Sequence, residues 1–223
     1  REITAALEIP LIVDEVQTGC GRTGTWCAFE QFDIEPDVIV LSKAIGGGHP
    51  VSVILYHERL DCWKPAAHTG TFRGNQLAFA VGAAQLRLME REDVLGNVRK
   101  IGSYLRDGLR RLQERYDFIG DVRGLGLMLG MEFTPLGPWS AGEVVDRVRM
   151  AALHKGLIFE PAGRKGSVAR FLPPLNLTRE EADEALGILE AAIAEVAEQA
   201  VADPESATDP VPTGAQGSAV RAR

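Results

Sequence analysis

The sequence predicts an α/β fold: part of an open, largely parallel sheet (1–117), a small α+β unit (118–200) and a disordered tail (201–223). Three observations predict it. Two short apolar runs, PLIV (10–13) and VIVL (38–41), each end at or near a charged residue, as buried parallel strands do at a sheet edge. Helical periodicity then fills 77–112. Beyond 118, short apolar runs alternate with two capping-box signals.

In order along the chain, Val38 to Leu41 reads as a strand buried on both faces, and VSVILY (51–56) as a third strand. Residues 65–75 are small and polar, a loop. Leu77, Val81, Ala84 and Leu88 recur at helical spacing. A longer helix carries Val94, Val98, Ile101, Leu105, Leu109 and Leu112 on one face, and joins the sheet to the smaller unit. DVRGLG (121–126) reads as a turn and 127–133 as a strand. Ser140 with Glu143 opens a helix bearing Val144, Val148 and Ala151, and Gly156 closes it. Strands are expected near 157–160 and 168–172. Thr178 with Glu181 opens a last helix, with Ala182, Leu186, Leu189 and Ile193 inward. From Ala202 the residues lose apolar period, which is the disordered tail.

Asp14 and Lys43 lie 43 − 14 = 29 residues apart, the length of one strand–crossover–strand unit. A right-handed crossover brings both strand ends to one edge, where open α/β sheets bind ligands. The plainer alternatives are a structural ion pair and a lysine that snorkels to water.

Bulk properties exclude some classes. The 223 residues carry a net charge of −7, which argues against a nucleic-acid partner. No apolar run is long enough to cross a membrane, and no signal peptide is visible. Cys20, Cys27 and Cys62 form no CxxC pair, and the four histidines show no metal-ligand spacing. The expectation is reduced thiols, a cytoplasmic setting and no metal. The chain opens REIT, without methionine, and its first strand follows at once, so it reads as the C-terminal part of something longer.

A lysine amine attacks carbonyls when its pKa is lowered, and an imine can hold an aldehyde cofactor. Pyridoxal 5'-phosphate pairs such a lysine with an acid at its pyridine nitrogen, and an aspartate there stabilises the ring proton.

The ordered signals VDEVQTG (13–19), RTG (22–24), LSKAIGGG (41–48) and TFRGN (71–75) resemble the class III aminotransferases. The resemblance runs from residue 1 to about 197. It implies fold type I, the aspartate-aminotransferase-like fold, with pyridoxal 5'-phosphate as cofactor. It implies that Asp14 binds the pyridine nitrogen, Val16 packs on the ring and Gln17 bonds near its phenolic oxygen. Lys43 would carry the cofactor and shuttle a proton. Thr71 would reach the cofactor phosphate of a neighbouring subunit, so a homodimer with shared sites is implied. Arg170 would grip a substrate carboxylate, a role suited to its planar fork. The plain readings are a surface ion pair for Arg170 and a loop hydroxyl for Thr71.

Gln76 after GN, with the segments at 60–76, 120–130 and 163–175, resembles the diaminobutyrate–2-oxoglutarate aminotransferase branch. That implies L-2,4-diaminobutyrate as amino donor and 2-oxoglutarate as acceptor, in ectoine, siderophore or related pathways. His49 departs from the family pattern. The glycine-rich phosphate turn and ring-stacking aromatic of the family's N-terminal half are not in this sequence. Other readings stay open: an ω-aminotransferase for 4-aminobutyrate, ornithine or acetylornithine, an aminomutase, or an inactive remnant.

Overall fold

The computed structural model describes residues 1–202. The tail expected from 201 lies outside the described residues, apart from Val201 and Ala202, which end the last helix. A short helix α1 (Glu2–Ala6) leads to β1 (Ile12–Asp14). β2 (Val38–Leu41) runs parallel to β1, with Asp14 opposite Val40. β3 (Val53–Tyr56) runs antiparallel to β2 on its other side. The third strand was expected from residue 51. Instead the Val51 carbonyl accepts the Ser42 hydroxyl at 3.0 Å, which takes it out of the ladder.

Asp37, just before β2, is the anchor of this sheet. Its carboxylate accepts the Leu11 N–H at 2.8 Å and guanidinium donors from Arg59 and Arg1, each at 2.6 Å. The Leu11 N–H first, then Arg59 and Arg1, hold its carboxyl well below the usual carboxylate range. β2 is less covered than its apolar run predicts. Only Leu41 is buried, and Ile12, Ile54 and Leu55 on the flanking strands are exposed. A three-stranded sheet of two edge strands does not enclose its centre.

Helix α2 (Gln76–Arg91) starts at Asn75, whose side chain accepts the Ala78 N–H at 3.1 Å. The apolar spacing at 77, 81, 84 and 88 does not mark its packed face. Ala78, Gly82 and Met89 are buried, while Leu77 and Leu88 are exposed. The helix rests on the turn after β2, and small residues permit that approach where a leucine would not.

Helix α3 (Val94–Arg115) buries Val98, Ile101, Leu105, Leu109 and Leu112, the face its periodicity predicts. This face belongs to one core with a second, four-stranded antiparallel sheet. In that sheet β4 (Ile119–Leu125) pairs with β5 (Met128–Phe133). The expected turn at 121–126 is therefore mostly strand, and only Gly126 and Leu127 turn. Val122 is buried between exposed Asp121 and Arg123, the alternation of a half-covered strand. Gly124, at φ +137, is needed for close approach, since a Cβ would sit 2.1 Å from the Met128 carbonyl.

Helix α4 (Ala141–His154) has the expected capping box between Ser140 and Glu143, and it buries Val144, Val148 and Ala151. Gly156, at φ +97, lies just past the cap residue Lys155. The next strand, β6 (Glu160–Ala162), begins later than expected. The Leu157 N–H is used by the Ala152 carbonyl at the helix end, so the chain cannot enter the sheet there. β7 (Val168–Phe171) completes the order β4-β5-β7-β6. Helix α5 (Arg179–Ala202) follows the Thr178–Glu181 capping box and buries Ala182, Leu189 and Ile193, with Leu186 packed beside them.

Candidate active site

Two consecutive turns at the carboxyl ends of β1 and β2 form the candidate site. Parallel pairing sets Asp14 beside Val40, three residues before Lys43, so both charged groups occupy the same sheet edge. Both side chains are exposed. Among the described residues Lys43 has no salt bridge.

The first turn is tied by its own residues. One Asp14 carboxylate oxygen accepts the Val16 N–H at 3.0 Å. The Glu15 N–H reaches across to the Val40 carbonyl at 2.9 Å. Glu15 itself is 1% exposed, and its carboxylate accepts the Phe29 N–H at 3.0 Å and the Thr18 hydroxyl. The Gly19 N–H then returns to the Glu15 carbonyl at 2.9 Å. Val16 and Gln17 are half-buried within this turn, next to Asp14. The sequence drew attention to Asp14 and passed over Glu15. The signal was there, in a second acid set directly between Asp14 and Val16.

The second turn starts at Lys43 and spans Lys43–Gly46. Lys43 has φ +51, left-handed backbone that costs a side-chain-bearing residue about 1–2 kcal/mol. Such strain persists only where neighbours over-determine it. Here Ser42 donates to the Val51 carbonyl at 3.0 Å and accepts from Ser52 at 2.9 Å. The Ala44 carbonyl accepts the Gly47 N–H at 3.1 Å and the Gln85 amide at 3.0 Å. His49 closes onto the Gly46 carbonyl through its backbone N–H at 3.0 Å.

Arg22, in the RTG signal, joins the two sheets. Its Nη1 donates to the Pro173 carbonyl at 2.5 Å and the Leu127 carbonyl at 3.2 Å. Burial pushes its guanidinium pKa down. Arg99 donates to the Gly24 carbonyl at 2.7 Å from α3, which holds the same loop.

Two sequence-derived candidates make no hydrogen bond or salt bridge to Asp14 or Lys43 among the described residues. Thr71 is exposed and lines a cleft with Ser52, Tyr56, Trp63 and His68. Arg170 sits on β7 opposite Glu160 and is ion-paired with it, while its Nε is buried without a partner. Within this chain, then, Asp14, Val16, Gln17 and Lys43 are brought together, and Thr71 and Arg170 are not joined to them.

Among the described residues the Lys43 amine has no salt bridge and one Asp14 oxygen has no hydrogen bond, and an amine and a carboxylate on one edge fit an aldehyde-bearing pyridine such as pyridoxal 5'-phosphate. The arrangement is a lysine and a carboxylate on one edge of an α/β sheet. The family model "Aminotransferase class-III" matches residues 1–193. A diaminobutyrate–2-oxoglutarate aminotransferase of Rhizobium meliloti is 47% identical over 200 residues, 86% of this chain and 43% of that protein. An acetylornithine aminotransferase of Caldanaerobacter subterraneus is 40% identical over 88% of this chain and 48% of its own length. The solved ornithine aminotransferase of Toxoplasma gondii superposes with a TM-score of 0.80 at 32% identity, over 90% of this chain and 46% of that one. The chain spans a little under half the length of these relatives. It belongs to the class III aminotransferases, and its fold is fold type I.

Proposed function

We propose that the protein carrying this chain transfers the terminal amine of L-2,4-diaminobutyrate to 2-oxoglutarate, giving L-aspartate 4-semialdehyde and L-glutamate. The observation that carries the chemistry is the pair Asp14 and Lys43 on one sheet edge, each on its own clamped turn. The 47% identity to a diaminobutyrate–2-oxoglutarate aminotransferase supports the choice of donor. A second reading, an acetylornithine or ornithine donor, is favoured by the 40% identical acetylornithine aminotransferase and the ornithine aminotransferase likeness.

Pyridoxal 5'-phosphate supplies an electron sink for the carbon that loses a proton. The Asp14 carboxylate, one of whose oxygens accepts the Val16 N–H, would stabilise a proton on the ring nitrogen through the other. Val16 would pack on the ring and Gln17 would hydrogen-bond near its phenolic oxygen. Lys43 would hold the cofactor through its aldehyde, and its Nζ, once free, would hold and move the proton at the substrate carbon. Thr71 serves the neighbouring subunit's phosphate in a homodimer. Arg170 releases Glu160 to take a substrate carboxylate, which would also satisfy its Nε. The working compartment is the cytoplasm.

The test uses the full-length, cofactor-loaded protein and its visible absorbance. L-2,4-diaminobutyrate alone should bleach the lysine-bound band, and 2-oxoglutarate should restore it. A band that ignores diaminobutyrate but responds to N-acetylornithine or ornithine selects the second reading. Lys43→Ala should remove turnover, and full activity in that variant rejects the assignment.

A further inference from the structure

We propose that Gln85, on α2, is a positioning residue that holds Lys43 in its reactive geometry. This rests on the reading of Lys43 as the reactive amine. Among the described residues Gln85 has no hydrogen bond to the Lys43 amine, and it acts through the Ala44–Ile45 peptide of the same turn. The Ala44 carbonyl accepts the Gly47 N–H at 3.1 Å from inside the turn and the Gln85 amide at 3.0 Å from the helix. A carbonyl only accepts, so the Gln85 nitrogen must face it.

Two further contacts make α2 a rigid backstop. A Cβ on Gly82 would lie 2.4 Å from the Ile45 carbonyl, so the helix backbone already meets the turn there. Val81 and Gln85 also crowd Gly47, where a Cβ would come within 2.7 Å and 2.8 Å of them. The helix therefore meets the turn at residues 44, 45 and 47. Ser42 holds the opposite side through the Val51 carbonyl. Lys43, at φ +51, lies between the two clamps, and Gln85 supplies the side-chain hydrogen bond from the helix. Without that donor the Ala44–Ile45 peptide, one residue past Lys43, has one partner fewer, and the left-handed conformation at Lys43 relaxes toward ordinary backbone.

The test uses the full-length protein with Gln85→Met, which keeps length and removes the donor, and Gln85→Glu, which keeps shape and cannot donate when ionised. Pyridoxal 5'-phosphate is added below saturation, and borohydride reduces the imine to a secondary amine, fixing the label for peptide mapping. Wild type should be labelled at Lys43. Both variants should label more slowly and lose kcat by about ten-fold or more, with KM within about two-fold. Labelling well below the Tm separates this from general destabilisation, which lowers Tm and leaves the labelling rate alone. Wild-type labelling and turnover in both variants, with Lys43 still the labelled residue, overturns the proposal alone. A defect in Gln85→Glu only also overturns it, because added charge is then the cause. A label on a different lysine overturns the reading of Lys43 and this proposal with it.

Discussion

Gly82→Ala sets two effects of opposite sign against each other. Within a helix interior alanine is better than glycine by about 1 kcal/mol. Against this, the new Cβ would lie 2.4 Å from the Ile45 carbonyl, while ordinary contact begins near 3.4 Å, so helix or turn must retreat by 3.4 − 2.4 = 1.0 Å. The obstacle is backbone, and the turn is tied by Gln85 on one side and Ser42 on the other. Overpacking of this kind costs about 1–3 kcal/mol. The net effect is a loss of about 0–2 kcal/mol, and each kcal/mol lowers Tm by about 2–4 °C in a domain of this size. Activity is the more sensitive readout, because a displacement of about 1 Å at a reacting group costs on the order of 100-fold in rate. Thermal melting and steady-state kinetics of the full-length, cofactor-loaded protein measure both. A raised Tm with kcat within about two-fold of wild type refutes the argument, since propensity then outweighs packing. A lowered Tm with unchanged kcat refutes its second half, since the helix then yields and the Lys43 turn stays put.

Asp37→Asn should lower Tm at neutral pH by weakening the Arg1 and Arg59 pairs and the Leu11 bond. The native carboxyl is depressed, so its contribution is full above the unfolded value of about 3.9 and is lost as pH falls through the lower native value. The gap between variant and wild type should therefore narrow below about pH 4 in a pH series of melts, and a pH-independent gap contradicts this. Ser140→Ala removes the N-terminal cap of α4 and should cost about 1 kcal/mol, read as a lower denaturation midpoint with an unchanged denaturant slope. Arg22→Met keeps the apolar stem but loses the donors to Leu127 and Pro173, and should cost about 1–3 kcal/mol. Hydrogen exchange should report it first at the Leu127 N–H, which is bonded to the Arg22 carbonyl at 3.0 Å. Unchanged protection there contradicts the linking role.

Local signals carried far where the chemistry is local. Both capping boxes, the buried face of α3 and the strand at Val38–Leu41 were legible, because each depends on residues a few positions apart. The glycines misled at 121–126. There Gly124 serves a close strand approach, a requirement set by Met128 on the partner strand and invisible in the segment itself. The apolar stripe on α2 misled in the same way. Its packed face includes the small residues Ala78 and Gly82, which fit against the Lys43 turn, with Met89, while Leu77, Phe79 and Leu88 face outward.

By itself the sequence determined that a carboxylate and an amine end two neighbouring parallel strands, because strand periodicity and crossover length are properties of the local chain. Only the tertiary structure decided how that amine is held. The left-handed backbone at Lys43, the buried Glu15 beneath the first turn and the clamp from Gln85 each need partners 9 to 41 residues away. Hydrogen-bond geometry over such separations is fixed by packing, and no short window of sequence encodes it.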